Sequence, residues 1–145
     1  LAPEECNGMV LSYNYFEKIA TAENKTFLAA FRKRFGADYP NVTELAMGTY
    51  QGFKLWAEAV KKAGSIDRMK VIEAMESGIS INAPSGKVTV DGASHHCILD
   101  VSLAEVKNKK LDILQTFAQQ APSDTSAVCN LKKNPADNQQ YVIKV

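Results

Sequence analysis

The stretch from Thr43 to Gly64, TELAMGTYQGFKLWAEAVKKAG, decides the fold. Ala46, Tyr50, Phe53, Ala57 and Val60 recur at intervals of three and four, the spacing that lines side chains along one side of an α-helix. Thr43 can cap the start, and Gly64 supplies a left-handed stop. Within the helix, Gly48 and Gly52 lie one turn apart on one side, and each lowers helix stability by about 1 kcal/mol relative to Ala. Close approach of another backbone or of a ligand would justify the pair, and ordinary helix–sheet packing is the plainer account.

Upstream, Thr21 can cap a helix carrying Phe27, Leu28, Phe31 and Phe35, with Gly36 as its stop. Before it, Gly8 to Tyr13 (GMVLSY) reads as a buried strand that runs through Tyr15-Phe16 into a loop. Downstream, Ser65 or Asp67 can start a third helix with Val71, Ile72 and Met75 on its buried side and Gly78 as terminator. Ala83-Pro84-Ser85-Gly86 suits a type I turn, and Lys87 to Val90 should be a short strand. From Cys97 to Val106, Cys97, Leu99, Val101 and Leu103 share one face and Asp100 and Ser102 the other, as in a half-buried strand. Lys107 to Lys110 is a polar turn, after which Leu111, Ile113 and Phe117 alternate in a second strand, giving an antiparallel hairpin. Beyond Gln119 the composition shifts to Ala, Pro, Ser, Asp and Asn, with a last apolar run at Tyr141-Val142-Ile143. That tail is expected to be a loop wrapping over the domain. The periodicities together indicate an α/β or α+β unit.

The 145 residues suit one compact unit, and 46% apolar content is ordinary for a chain with a real core. Lys plus Arg total 17 against 16 for Asp plus Glu, so no electrostatic footprint points to nucleic acid or an anionic membrane as partner. The apolar runs are broken by charge well short of the roughly 20 residues that a membrane span needs. The opening Leu-Ala-Pro-Glu-Glu-Cys has no initiator Met, basic leader or long apolar stretch. It therefore reads as a chain whose targeting signal was removed or that starts within a longer protein.

Reactive side chains are sparse. His95-His96-Cys97 is the densest cluster, but neighbouring residues on a strand point to opposite faces. His95 and Cys97 can face the same way, whereas His95 and His96 do not readily share one metal. Further ligands such as Asp91 or Glu105 stand at no recognisable spacing, so the reading is a turn followed by a core thiol. No glycine-rich phosphate loop, Gly-x-Ser-x-Gly elbow or His-Glu-x-x-His occurs. Glu4-Glu5 and Glu73 with Glu76 sit where a solvated terminus or helix face is expected. The sequence therefore predicts no catalytic residues, no metal and no cofactor. Tyr13, Tyr15, Phe16, Tyr50, Phe53 and Trp56 offer apolar faces, and the tyrosines add polar tips, so a binding role has material to use.

An ordered series of segments carries a family resemblance. It comprises Gly8-Met9-Val10 with Tyr15-Phe16-Glu17, Thr21-Ala22-Glu23-Asn24 with Phe27, and Phe31-Arg32-Lys33-Arg34-Phe35-Gly36. Tyr50 to Val60, Lys62-Ala63-Gly64-Ser65, Ala83-Pro84-Ser85-Gly86-Lys87-Val88 and His95-His96 continue it. Across residues 7 to 117 the chain resembles the carboxy-terminal portion of type I periplasmic solute-binding proteins, in the branch that serves amides, urea and branched-chain amino acids. The resemblance implies a partial α/β fold, with helices packed on a mostly parallel sheet and followed by an antiparallel strand pair. It also implies a division into 1–86, a crossover strand and three helices of the first lobe, 87–117, the returning strands and hairpin of the second lobe, and a 118–145 tail. In such proteins the two lobes close on the ligand about a hinge.

Carried over residue by residue, the resemblance makes Tyr50 a residue bordering the ligand cleft, and Tyr15 and Phe16 cleft-edge or hinge contacts. It gives His95 and His96 a hinge or structural role. Cys97 and Cys129 stand where a disulfide could tie the tail to the strand. The implied function is the substrate-binding component of a periplasmic ABC importer for a small polar solute, not an enzyme. Its partners would be that ligand, the permease subunits and the remaining part of its own binding protein. The alternatives are a ligand-sensing regulator of the same fold, or a truncated assembly module whose exposed apolar surface makes a homodimer.

Overall fold

Thr21 accepts a hydrogen bond from the Asn24 N–H, Thr43 one from Ala46, and Asp67 two from Met69 and Lys70. Each thereby satisfies amides that a helix start leaves without partners. The three helices so opened are α2 (Ala22–Phe35), α3 (Glu44–Ala63) and α4 (Arg68–Glu76). The computed structural model describes residues 2–122, 130 and 133–140. A short α1 (Pro3–Cys6) and β1 (Val10–Tyr13) precede the helices, and β2 (Ser80–Ala83), β3 (Gly86–Val90), β4 (Cys97–Lys107) and β5 (Lys110–Gln120) follow them. Gly36, Gly64 and Gly78, the expected stops, all hold positive φ.

The strands form one five-stranded sheet in the order β1-β4-β3-β2, with β5 also paired to β4. Every pairing is antiparallel, so the expected mostly parallel sheet is corrected for the described residues. The reason lies in the connections. Only Pro84-Ser85 joins β2 to β3 and only Asn108-Lys109 joins β4 to β5, whereas parallel neighbours need a crossover of a dozen residues or so. Asn108 and Lys109 both take positive φ, the conformation of a two-residue hairpin turn whose twist matches its strands.

The long strand β4 serves two ladders. Cys97 and Ile98 pair with β3, and from Leu99 onward the strand pairs with β5 and, over Ser102–Glu105, with β1. Its most buried positions are Ser102 and Ala104 rather than the expected row of Cys97, Leu99, Val101 and Leu103. Small side chains suit the middle strand of three, and the Ser102 hydroxyl finds Thr116 Oγ1 at 2.8 Å.

Helix α3 presents a different face to the core from the one its spacing suggested. Met47, Gln51, Leu55 and Ala59 are buried, whereas Tyr50, Phe53 and Trp56 are 37%, 65% and 43% exposed. Leu55 packs with Ile81, Ala83, Val88 and Val90 of the β2–β3 hairpin, and Ala59 packs with Val71 and Ala74 of α4. Met47 joins Tyr15 and Val42, with Phe27, Leu28 and Phe31 of α2 against them. Gln51 is tolerated inside because its amide donates to the buried Ser85 hydroxyl. Neither Gly48 nor Gly52 is approached by anything within 4 Å, so neither close approach nor helix–sheet packing explains them among the described residues.

Candidate ligand groove and crossover

Tyr50 stands on the exposed side of α3 with its ring centroid 4.8 Å from that of Phe27. Phe31 stacks behind Phe27 at 5.9 Å. Together with Pro84 from the β2–β3 turn, these rings line a groove of about 600 Å³. Two cations and one carboxylate, Glu23, are among its lining. Lys54 lies 5.9 Å above the Tyr50 ring and Arg34 5.7 Å above that of Phe35. Apolar walls with charged groups of both signs at the edge suit a small molecule that has a flat apolar body and a polar end.

Tyr15 and Phe16 lie elsewhere. They are 2% and 6% exposed and belong to the segment that leaves β1 for α2. A second groove of about 630 Å³, bounded by Tyr13, Phe16, Lys18, Thr43 and Lys110, borders them. It shares no lining residue with the Tyr50 groove, so the structure does not bring Tyr50 together with Tyr15 and Phe16.

The crossover segment is held by a polar network. The Tyr15 hydroxyl donates to Asn24 Oδ1 at 2.9 Å, and Asn24 Nδ2 donates to the carbonyls of Glu17 at 3.0 Å and Ile19 at 2.7 Å. Glu17 pairs with Arg32 of α2 and accepts the Val42 N–H at 3.0 Å. Arg32 also donates to the Tyr39 carbonyl. Burial and the neighbouring Glu17 charge push the Tyr15 phenol up to about 12. Asn14, one residue earlier, has a buried Oδ1 with no hydrogen-bond partner among the described residues.

His95, His96 and Cys97 do not converge. His95 adopts φ +60° and sets Nε2 2.8 Å from Glu76 Oε1 at the end of α4. His96 is exposed, and Cys97 packs at the edge of the β2–β3 core, where burial pushes its thiol up. The turn before them is organised by Asp91, whose carboxyl sits below its ordinary range chiefly because the Ser94 hydroxyl donates to it. Among the described residues no group of three or more His, Cys, Asp or Glu is placed to hold a metal. Cys97 carries a free thiol. Cys129, its expected partner, lies outside the described residues, as does the Tyr141-Val142-Ile143 run.

Sequence reasoning missed Asn24, Glu17 and Gln119. The sequence names Asn24 only within the Thr21-Ala22-Glu23-Asn24 segment and Gln119 only as the point beyond which the composition shifts. The signal for Asn24 was its place three residues after the capping Thr21, next to a segment of buried aromatics whose carbonyls need donors.

Strand β4 is thus shared between the β3 ladder and the β1 and β5 ladders, and solved structures carry a similar arrangement. The crystal structure of a solute-binding protein of an ABC transporter from Rhodopseudomonas palustris HaA2, in complex with p-hydroxybenzoic acid, superposes with a TM-score of 0.69 at 32% identity, covering 81% of this chain and 33% of that one. Its counterpart from Rhodopseudomonas palustris BisB5, in complex with 3,4-dihydroxybenzoic acid, gives 0.70 at 27% identity with the same coverage. A curated protein named limonene hydroxylase, from Geobacillus stearothermophilus, is 26% identical over 111 residues, which is 76% of this chain and 20% of that protein. The chain thus spans about a third of the solved structures and a fifth of the curated relative. The family model for the periplasmic binding protein domain matches residues 1–127, and the chain belongs to that family. No helix among the described residues is long and apolar enough to cross a membrane.

Proposed function

We propose that this chain is the carboxy-terminal portion of the substrate-binding component of a periplasmic ABC importer, a protein that binds its solute without chemical conversion. The observation that carries the reading is the family match over residues 1–127. In this reading residues 1–86 are the crossover strand and three helices of the first lobe, 87–117 supply the returning strands and hairpin of the second, and 118–145 form the tail. Tyr50 borders the ligand cleft, and Tyr15 and Phe16 are cleft-edge or hinge contacts.

The ligand is a small polar solute of the amide, urea, amino-acid or hydroxybenzoate kind. The aromatic wall at Phe27 and Tyr50, with the two cations Lys54 and Arg34 against the one carboxylate Glu23, favours the carboxylate-bearing members. The remaining part of the binding protein would cover the exposed Phe53, Trp56 and open Gly48–Gly52 side of α3. The partners are therefore that part, the ligand and the permease subunits.

Calorimetric titration of the protein made from the complete reading frame tests this reading, with p-hydroxybenzoate, leucine, acetamide and urea as probes. Binding of a carboxylate, weakened about tenfold by Tyr50→Ala, is the expected result. Binding of acetamide or urea alone would overturn the carboxylate assignment. Carboxylate binding unaltered by Tyr50→Ala would remove Tyr50 from the cleft, and no binding to any probe would overturn the solute class.

A further inference from the structure

Strand β4 parts from β3 after Ile98. The two pairs Thr89↔Ile98 and Val90↔Cys97 would, continued in register, set Lys87 opposite Asp100, but the ladder stops short of that rung. At the same point the β4–β5 ladder changes register. Leu99 faces Gln120 and Val101 faces Phe117, so Ala118 and Gln119 stand against Asp100 alone. This is a β-bulge, and Gln119 takes φ +49° within it.

The bulged residue fills the fork. Gln119 Nε2 donates to the Lys87 carbonyl at 2.9 Å, supplying the donor that β4 no longer offers. The same nitrogen donates to Asp100 Oδ1 at 3.0 Å, and the Gln119 backbone N–H donates to that oxygen at 2.8 Å. On its other side the Asp100 carboxylate lies over Gly86, where a Cβ would come 2.6 Å from Oδ2. Three strands are therefore joined at one carboxylate and one amide. Gln119 belongs to the strand held only by β4, and Lys87 belongs to the hairpin packed on α3.

We infer that Gln119 and Asp100 form a clasp that sets the angle between the β1–β4–β5 ladders and the helix-backed β2–β3 hairpin. Strand β4 changes partners at Leu99–Val101, and the angle between the two ladders does not change there without withdrawing Gln119 from Lys87. The Lys18–Asp112 ion pair at 3.2 Å also links the crossover segment to β5, but both side chains are more than half exposed and screened by water. The clasp has neutral hydrogen-bond donors on a backbone carbonyl and a carboxylate, and does not depend on that pair.

Spin-label distance measurement on the full chain tests the clasp and needs no ligand. Labels would go at Ile66, between α3 and α4, and at Leu114 on β5, which are 82% and 55% exposed, with Cys6, Cys97 and Cys129 replaced by Ser. The parent should give one narrow distribution. Gln119→Gly, which suits the positive φ and removes only the side chain, should widen it roughly twofold, as should Asp100→Ala, with helix content unchanged. Unchanged width in Gln119→Gly overturns the inference. Widening in Lys18→Ala but not in Gln119→Gly assigns the restraint to the ion pair and also overturns it. Should Asp100→Ala fail to fold, Gln119→Gly alone decides.

Discussion

The Tyr15 hydroxyl donates to Asn24 Oδ1 at 2.9 Å, which ties the segment leaving β1 to the first turn of α2. Both residues are almost wholly buried, at 2% and 1% exposure. An unsatisfied polar atom at such depth costs more than the bond itself contributed. Tyr15→Phe should therefore cost about 1–2 kcal/mol. Asn24→Ala also strips donors from the Glu17 and Ile19 carbonyls and should cost about 2–4 kcal/mol. Urea unfolding of both variants checks the order. Equal, small losses would mean that water replaces the network.

The same phenol makes alkaline stability predictable. Its ordinary value is 10, and in the fold it is pushed up to about 12. The folded state therefore holds the proton more tightly than the unfolded chain. The stabilisation is complete below pH 10 and is lost as pH rises from 10 to about 12, with a total on the order of 2 kcal/mol. Unfolding free energy measured across that window should fall in the parent and fall less in Tyr15→Phe. A tyrosinate absorbance titration should show one phenol ionising last.

Glu17 and Arg32 form the better shielded of the ion pairs at the helices. Their side chains are 19% and 23% exposed, and Glu17 also accepts the Val42 N–H. Glu17→Ala should cost about 2 kcal/mol because it leaves a guanidinium and an amide short of an acceptor. Lys61→Ala, which breaks the exposed pair with Glu58, should cost under about 0.5 kcal/mol. Thermal unfolding of the two variants compares them directly.

The ends of α2, α3 and α4 were legible because Thr21, Thr43, Asp67 and the following glycines act locally. The hairpin turns were legible for the same reason. The buried face of α3 was not. Its sequence carries apolar residues on more than one side, and only the β2–β3 hairpin, distant in sequence, selects Met47, Gln51, Leu55 and Ala59. Antiparallel pairing of β1 with β4 was hidden similarly, since it joins residues 10–13 to 102–105. Of the candidate site, Tyr50 is named through the family resemblance, and its place at a ligand cleft is part of the proposal. The Asn24 contacts are local, to Glu17 and Ile19, and leave a faint signal in its place after Thr21, whereas Gln119 reaches the Lys87 carbonyl across 32 residues, which no spacing reveals.

Cys97 offers a direct check on the reading of the His95-His96-Cys97 cluster. Burial raises its thiol, and no histidine contact draws it down. The thiolate is the reactive form, so alkylation at pH 8 should run about tenfold slower than for a small free thiol. Mass mapping after iodoacetamide would identify the modified positions. Rapid alkylation of Cys97 would return it to the list of nucleophiles.

Three glycines separate local propensity from close contact. Gly48 and Gly52 lie inside α3 with open space around them, so Ala at either should stabilise this chain by about 0.5–1 kcal/mol through helix propensity. Gly92 is opposite in kind. A Cβ there would overlap the Glu76 carbonyl at the end of α4, and that carbonyl belongs to backbone that cannot rotate aside. Gly92→Ala should push the Asp91–His96 turn off α4, lengthen the His95–Glu76 contact and cost about 1–3 kcal/mol. Denaturant unfolding of the three variants gives the signs. In the protein made from the complete reading frame, a loss of the Gly48→Ala gain would mean that another element lies against that side of α3. Persistence of the gain would mean that this side faces water there as well.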